Sequence, residues 1–285
     1  MRKVAGLIRL MRPINCSMMG LAVIVGAIIS ARDLAVVNDS LSGLMLGFIT
    51  AFTLTGASMA INDYYDRDID AINEPNRPIP SGLIKPMESL FFASALTFTG
   101  LASAAFTHIP CLLTAIASWI ISATYSTVGK RTGLPGNFLV STCISVPFIY
   151  GGLVLKSLVD LNIVFFAALA FLANTGREIT KGIADVEGDK IRGVRTLAIS
   201  HGARAAAYAS SAFFILAVLL SPIPAILGLM HIWFLPPLIL ADIGFTWSSL
   251  SLIREHTREN AKRIKKITLI WMMLSLVAFI AGTIK

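Results

Sequence analysis

The sequence is poor in charge. Only 14% of its 285 residues are Asp, Glu, Lys or Arg, while 55% are hydrophobic; an average soluble domain carries about a quarter charged residues. That deficit excludes an ordinary water-soluble globule and makes the bilayer the expected solvent. Cysteine is also scarce. Cys16, Cys111 and Cys143 all fall in apolar segments, an odd count without metal-like spacing, which excludes a disulfide framework and a thiolate zinc site. The four histidines, His108, His201, His231 and His256, are scattered and form no zinc set.

What remains is a series of long apolar stretches. A spanning helix needs roughly 20 mainly apolar residues, and such stretches occupy 14–31, 42–62, 89–108, 109–127, 137–155, 160–177, 205–221, 224–251 and 267–284. The expectation is an all-α polytopic membrane protein of about nine transmembrane helices, with residues 1–285 forming one integral-membrane domain. The first stretch follows Arg2, Lys3, Arg9 and Arg12 but has no clear small-residue cleavage site, so it is expected to be a retained helix. Ser221-Pro222-Ile223-Pro224 predicts a break, and the pair Pro236-Pro237 predicts a kink inside the eighth stretch.

The net charge of +8 is distributed by topology. Four Lys or Arg precede the first stretch, and three, two, six and six follow the second, fourth, sixth and eighth, which places 21 of the 24 on one side. Arg32, Lys156 and Lys285 are left for the other. By the positive-inside rule the N-terminus and the basic loops face the cytoplasm of a multi-pass cell-membrane protein. Cations spread over membrane-flanking loops, without interleaved aromatics or a soluble basic domain, exclude a nucleic-acid partner. The densest run, from Arg254 to Lys266, is expected to be an anchor touching anionic headgroups.

Against this background the acids are concentrated. The end of the second stretch reads Asn62-Asp63-Tyr64-Tyr65-Asp66-Arg67-Asp68-Ile69-Asp70. Residues three, four and seven apart share a helix face, so Asp63, Asp66 and Asp70 converge, with Asn62 one turn before Asp66. Like charges so placed repel unless a cation joins them. Mg²⁺, a hard ion that takes carboxylate oxygens and keeps positions for water and phosphate, fits that need. A second set follows the sixth stretch: Arg177, Glu178, Lys181, Asp185, Glu187, Asp189 and Lys190, with Asp185 and Asp189 one helical turn apart. Both sets follow even-numbered stretches, so topology puts them on the same membrane face, where they could flank one diphosphate.

Other polar residues share that face. Tyr125 and Lys130 end the fourth stretch, and Lys130 could neutralise diphosphate as it leaves, although a basic helix end is also ordinary topology. Asn15 follows Arg12-Pro13 and could hydrogen-bond the diphosphate or serve only as an interfacial amide. Asp242 lies at membrane depth, where an acid needs a partner that the sequence does not name. A cation transporter, the rival class, would place its acids along a mid-membrane pathway, and only Asp242 fits that pattern.

These residues resemble the UbiA superfamily of intramembrane prenyltransferases, whose motifs are Asn-Asp-x-x-Asp-x-x-x-Asp and Asp-x-x-x-Asp. The matches here are Asn62, Asp63, Asp66 and Asp70, then Asp185 and Asp189. The likeness runs along nearly the whole chain. It implies helices around a central cavity, capped by the loops after the second and sixth helices. It also implies Mg²⁺ held by Asn62, Asp63, Asp66, Asp70, Asp185 and Asp189. The stretches Asn73 to Gly82 and Arg177-Glu178-Ile179, together with Asp185-Val186-Glu187-Gly188-Asp189 and Arg195-Thr196-Leu197, resemble the archaeal ether-lipid members more than the chlorophyll-forming ones.

The implied reaction moves a geranylgeranyl group from geranylgeranyl diphosphate to the glycerol 2-hydroxyl of geranylgeranylglyceryl phosphate. An aromatic or tetrapyrrole acceptor is the alternative. In that reading Asp63, Asp66, Asp185, Lys130 and Tyr125 are the catalytic residues, Tyr125 as an aromatic wall beside the allylic cation. Asn15, Asn62, Arg67, Lys130, Lys181 and Arg77 bind substrate, and the acceptor phosphate falls to Arg77, Arg192 or Arg195. The hydroxyl proton could pass to Asp63, Asp66 or diphosphate.

Overall fold

A computed structural model describes residues 2–31, 37, 39–155, 161–191 and 193–283. Arg32, Lys156, Arg192 and Lys285, four cations of the topology count, lie outside the described residues. Among the described residues every regular element is helical. The main helices are α1 (Arg2–Met11), α2 (Pro13–Ala31), α3 (Leu41–Asn73), α4 (Pro86–Thr107), α5 (Ile109–Thr127), α6 (Leu134–Leu155) and α7 (Leu161–Ala184). They are followed by α8 (Val186–Ile191), α9 (Leu197–Leu220), α10 (Ile223–Ile226), α11 (Leu235–Arg254) and α12 (Arg258–Ala281).

Nine of the described helical segments are long and apolar enough to cross a membrane, matching the nine expected stretches. Large apolar side chains face outward, as lipid permits: Phe91, Phe98 and Phe106 of α4 are all more than 70% exposed.

The described chain gathers into two compact units. The first holds residues up to Lys130 together with Val146–Ile163; the second holds Arg131–Ser145 and the chain from Val164 onward. In the first, Val23, Ala27, Leu44, Ala104, Ala115, Tyr150 and Leu153 form a buried cluster. Its close packing depends on absent side chains. A Cβ on Gly151 of α6 would lie 1.9 Å from the Val23 carbonyl oxygen of α2, and one on Gly26 would lie 2.1 Å from the Phe148 carbonyl. Glycine therefore sets the approach of these two backbones, the small-residue mode of packing that helices use in lipid. In the second unit Ile179, Ile183, Ala206, Phe214, Phe245, Leu252 and Ile264 form the core, and Phe214 packs on Phe245 with ring centroids 5.3 Å apart.

Three local readings change. Residues 2–11, expected only as a charged lead-in, form a helix that buries Gly6, Leu10 and Met11 while Val4 and Ile8 stay exposed. The Pro236-Pro237 pair begins α11 rather than kinking a longer helix, because proline in the first turn removes N–H groups that have no helical partner anyway. The kink occurs instead at Gly202, whose φ of 86° interrupts α9. Asp242 gains a named partner: the Ser221 hydroxyl donates to its carboxylate at 2.7 Å.

Gly151→Ala should cost about 1–3 kcal/mol through overpacking, read as a lower unfolding temperature in detergent. Gly43→Ala, whose Cβ would meet only a Val154 methyl at 3.1 Å, should cost clearly less. Equal losses would mean that the α2–α6 backbone approach is not limiting.

Candidate active site: two acidic sets and their counter-charges

The first acidic set lies in the last turns of α3. At 1.5 Å per residue its 33 residues extend about 50 Å, well beyond the roughly 30 Å hydrocarbon layer. The acidic segment is helical throughout, so the expected face forms. Asp63, Asp66 and Asp70 are each no more than 4% exposed, whereas the Asp68 side chain between them is 62% exposed. Burial makes three carboxylates costly, and the negative end of the helix dipole raises the cost for Asp70, which lies in the last turn.

Each carboxylate meets a cation from a different part of the first unit. Arg12 Nη2 reaches Asp63 Oδ1 at 2.5 Å. Arg77 Nη1 bridges Asp70 Oδ2 at 2.5 Å and Asp63 Oδ1 at 3.4 Å. Lys130 Nζ meets Asp66 Oδ2 at 2.5 Å, and the Asn62 amide donates to that same oxygen at 2.8 Å. Three buried acids are thus balanced by three bases.

The scaffold around each base is specific. Arg77 sits in a loop pinned by buried Ile79 and Ile84, with its N–H donating to the Glu74 carbonyl and its carbonyl accepting from Ser81. Burial works against the Arg77 charge, but Asp63 and Asp70 more than offset it and hold the guanidinium above its ordinary range. Arg12 occupies the break between α1 and α2 with φ at 53°, the left-handed region. A side chain there costs roughly 1–2 kcal/mol, and Pro13 behind it keeps the chain from continuing α1. Lys130 lies in the 3₁₀ turn after α5.

Arg67, expected at the diphosphate, packs over the Tyr64 ring at 4.9 Å and donates to the Tyr64 carbonyl at 2.9 Å. Tyr125 is buried near the end of α5, and Asn15 stands half-buried in the first turn of α2.

The second acidic set lies within the second unit. Asp185 is the turn residue between α7 and α8 and Asp189 belongs to α8, yet the Asp189 N–H donates to the Asp185 carbonyl at 3.1 Å, which preserves the expected one-turn spacing across the join. Asp189 is buried. Asp185 pairs with Lys265 of α12 at 3.2 Å. Glu178 takes Arg177 at 3.4 Å and Lys181 at 3.2 Å, and the Arg177 Nε donates to the Lys265 carbonyl. Arg258 pairs with Glu187 and donates to the Ala184 carbonyl.

Several of these roles are not legible in the sequence, where Arg12 and Lys265 read as topology charges. Lys265 departs from the anchoring run because α12 turns it inward to Asp185. Its signal in the sequence is weak: in α12 it is one turn after Ala261, a buried position, whereas Lys266 beside it is exposed.

Among the described residues no three His, Cys, Asp or Glu side chains converge as they stand to ligate one ion. Basic side chains occupy the spaces between the carboxylates instead. The donor set nevertheless suits a hard cation, because buried carboxylate oxygens supply the ligand chemistry that Mg²⁺ prefers. The existing charge balance suits a ligand that carries both signs, a cation together with a diphosphate. Phosphate oxygens could then take over the Arg and Lys contacts while the carboxylates take the cation.

Residues 19–277 match the model of the UbiA prenyltransferase family. The chain belongs to that family. Among its relatives is the digeranylgeranylglyceryl phosphate synthase of Methanothermobacter thermautotrophicus, 34% identical over 97% of this chain and 95% of that protein. A solved structure of a digeranylgeranylglyceryl phosphate synthase is similar with a TM-score of 0.73 and 33% identity, covering 100% of this chain and 99% of that one. A UbiA homologue from Archaeoglobus fulgidus, solved with GPP and Mg²⁺, shares the fold at a TM-score of 0.65 and 18% identity over 96% of this chain and 99% of its own. This UbiA chain is therefore a multi-pass membrane prenyltransferase.

Two substitutions test the charge arrangement. Arg77→Met should destabilise the protein by about 3 kcal/mol, because two buried carboxylates lose a partner. Arg77→Lys should recover only part of that, since a point charge bridges two carboxylates less well than a planar guanidinium. A second comparison isolates backbone strain. Arg12→Gly and Arg12→Ala both remove the Asp63 pair, but glycine accepts φ of 53° freely, so the alanine variant should be less stable by about 1 kcal/mol in denaturant titration. Equal stabilities would remove strain from the account.

Proposed function

We propose that this prenyltransferase moves a geranylgeranyl group from geranylgeranyl diphosphate to the 2-hydroxyl of geranylgeranylglyceryl phosphate, forming an ether and releasing diphosphate. The observation that carries the reading is the face of α3, where three buried carboxylates are balanced by three cations from separate elements. Such a face suits a cation–diphosphate pair better than either ion alone. The acceptor follows from the relatives at about one-third identity, which carry the name of that activity.

Cleavage of the allylic C–O bond spreads positive charge over the prenyl carbons and builds negative charge on the leaving diphosphate. Donors fixed in place before the reaction favour that separation. Lys130, Arg67, Lys181 and Arg77 are assigned to the diphosphate, with Asn15 and Asn62 as hydrogen-bonding groups, and Tyr125 supplies an aromatic face for the cation. Asn62, Asp63, Asp66, Asp70, Asp185 and Asp189 are the residues that would hold Mg²⁺, which when bound supplies Lewis-acid neutralisation of the leaving group. Asp63, Asp66 or the departing diphosphate takes the hydroxyl proton.

The same reading treats residues 1–285 as one prenyltransferase domain, supported by a family match that runs through both compact units. It places the N-terminus and both acidic sets on the cytoplasmic side of the cell membrane, supported by the distribution of Lys and Arg.

The test is transfer from geranylgeranyl diphosphate with Mg²⁺ by the purified protein, offered geranylgeranylglyceryl phosphate, an aromatic acceptor and a tetrapyrrole in turn. Transfer to the glyceryl phosphate is expected, and exclusive transfer to a ring would reject the lipid reading. Asp66→Asn and Asp185→Asn should each lower turnover by at least about 100-fold while the protein stays folded and membrane-inserted. Near-normal turnover in either would remove that acid from the reaction.

A further inference from the structure

We infer that Arg131 and Arg195 form the subsite that selects the phosphate of the acceptor. This rests on the glyceryl phosphate acceptor proposed above and goes further by naming its specificity determinant. The committed bases are not available as they stand. Arg12, Arg77 and Lys130 are taken by Asp63, Asp70 and Asp66, Lys181 by Glu178, and Lys265 by Asp185. Arg131 and Arg195 are exposed, and among the described residues neither forms an ion pair.

Their backbones are joined. The Arg195 N–H donates to the Arg131 carbonyl at 3.2 Å, so the two residues are neighbours although 64 positions apart. That contact depends on Gly133, whose φ is 73° and whose Cβ, if present, would lie 2.2 Å from the Arg195 carbonyl oxygen. The strand of chain bearing Arg195 is fixed at its other end as well. The Val194 N–H donates to the Asp189 carbonyl at 3.0 Å, Gly193 turns at φ 66°, and Val194 is buried. On the far side Thr196 packs against Gly182 of α7.

The backbones of two arginines are thus fixed beside the second acidic set by hydrogen bonds, unlike those of a flexible basic run. Chemistry requires such a position. In a glyceryl phosphate the phosphate sits on a carbon next to the one bearing the reacting 2-hydroxyl, so its binding site must lie close to the residues that hold the diphosphate. Arginine suits it, because its planar fork grips phosphate oxygens in pairs.

The test compares steady-state kinetics with geranylgeranylglyceryl phosphate and with geranylgeranylglycerol, the same acceptor without phosphate. Arg131→Gln and Arg195→Gln should each raise the KM for the phosphorylated acceptor about tenfold, the loss expected for a charged hydrogen bond, with the KM for geranylgeranyl diphosphate unmoved. The effect should shrink to within about twofold on the acceptor lacking phosphate, and Arg195→Lys should restore part of the loss. Gly133→Ala, which separates the two backbones, should reproduce the acceptor defect; if it fails to fold, the two arginine variants still decide. An unchanged acceptor KM in both arginine variants, or an equal loss on both acceptors, overturns the subsite. Absence of transfer to the phosphorylated acceptor by the wild-type protein would instead overturn the proposed reaction.

Discussion

The neutralisation of Asp63, Asp66 and Asp70 is the constraint around which the first unit is arranged. A chain suited to lipid places three carboxylates on the buried face of one helix, near the end where the helix dipole is negative. Removing such charges from water costs several kcal/mol each unless partners and hydrogen bonds compensate. Compensation comes from the α1–α2 break, the loop after α3 and the turn after α5, so segments distant in sequence are tied to one helix face. The buried Ile79 and Ile84, the left-handed Arg12 and the 3₁₀ turn at Lys130 all bring a cation to that face.

The second unit solves the same problem differently. Its acids are divided between the end of α7 and the short α8, and its bases come mainly from α7 itself and from α12. Glu178 is enclosed by Arg177 and Lys181 from its own helix, while Asp185 relies on Lys265 across the packing of helices. Local sequence therefore accounts for Glu178, and tertiary structure accounts for Asp185.

That contrast explains what was legible in the sequence. The nine apolar stretches were legible because lipid demands about 20 apolar residues per crossing and gives few alternatives. The acidic face of α3 was legible because helical periodicity acts within one segment. Arg12 and Lys265 were not, since a cation beside a membrane span looks the same whether it anchors to headgroups or turns inward to an acid. The α1 helix is obscured by its brevity, and the Pro236-Pro237 pair is ambiguous in sequence because proline breaks a helix from within but begins one readily. Gly151 and Gly133 carry no signal at all. Their value lies in what another segment's backbone does 1.9 to 2.2 Å from an absent Cβ.

A charge-balanced cluster also constrains how the site can operate. If the carboxylates stood unpaired they would attract any divalent cation without regard to substrate, and if the bases stood unpaired they would hold any phosphate. Pairing them internally makes either ion, alone, compete against an existing partner. In the proposed reading a diphosphate accompanied by its cation is different: each half would release the partner that the other half needs, so the exchange would keep the local charge near balance. The strain at Arg12 fits this logic, because a guanidinium presented from a left-handed residue at a helix break is held at Asp63 by geometry as well as by attraction. Under that proposal, selectivity for the paired ligand would follow from the cost of leaving any one of six buried or half-buried charges without a partner.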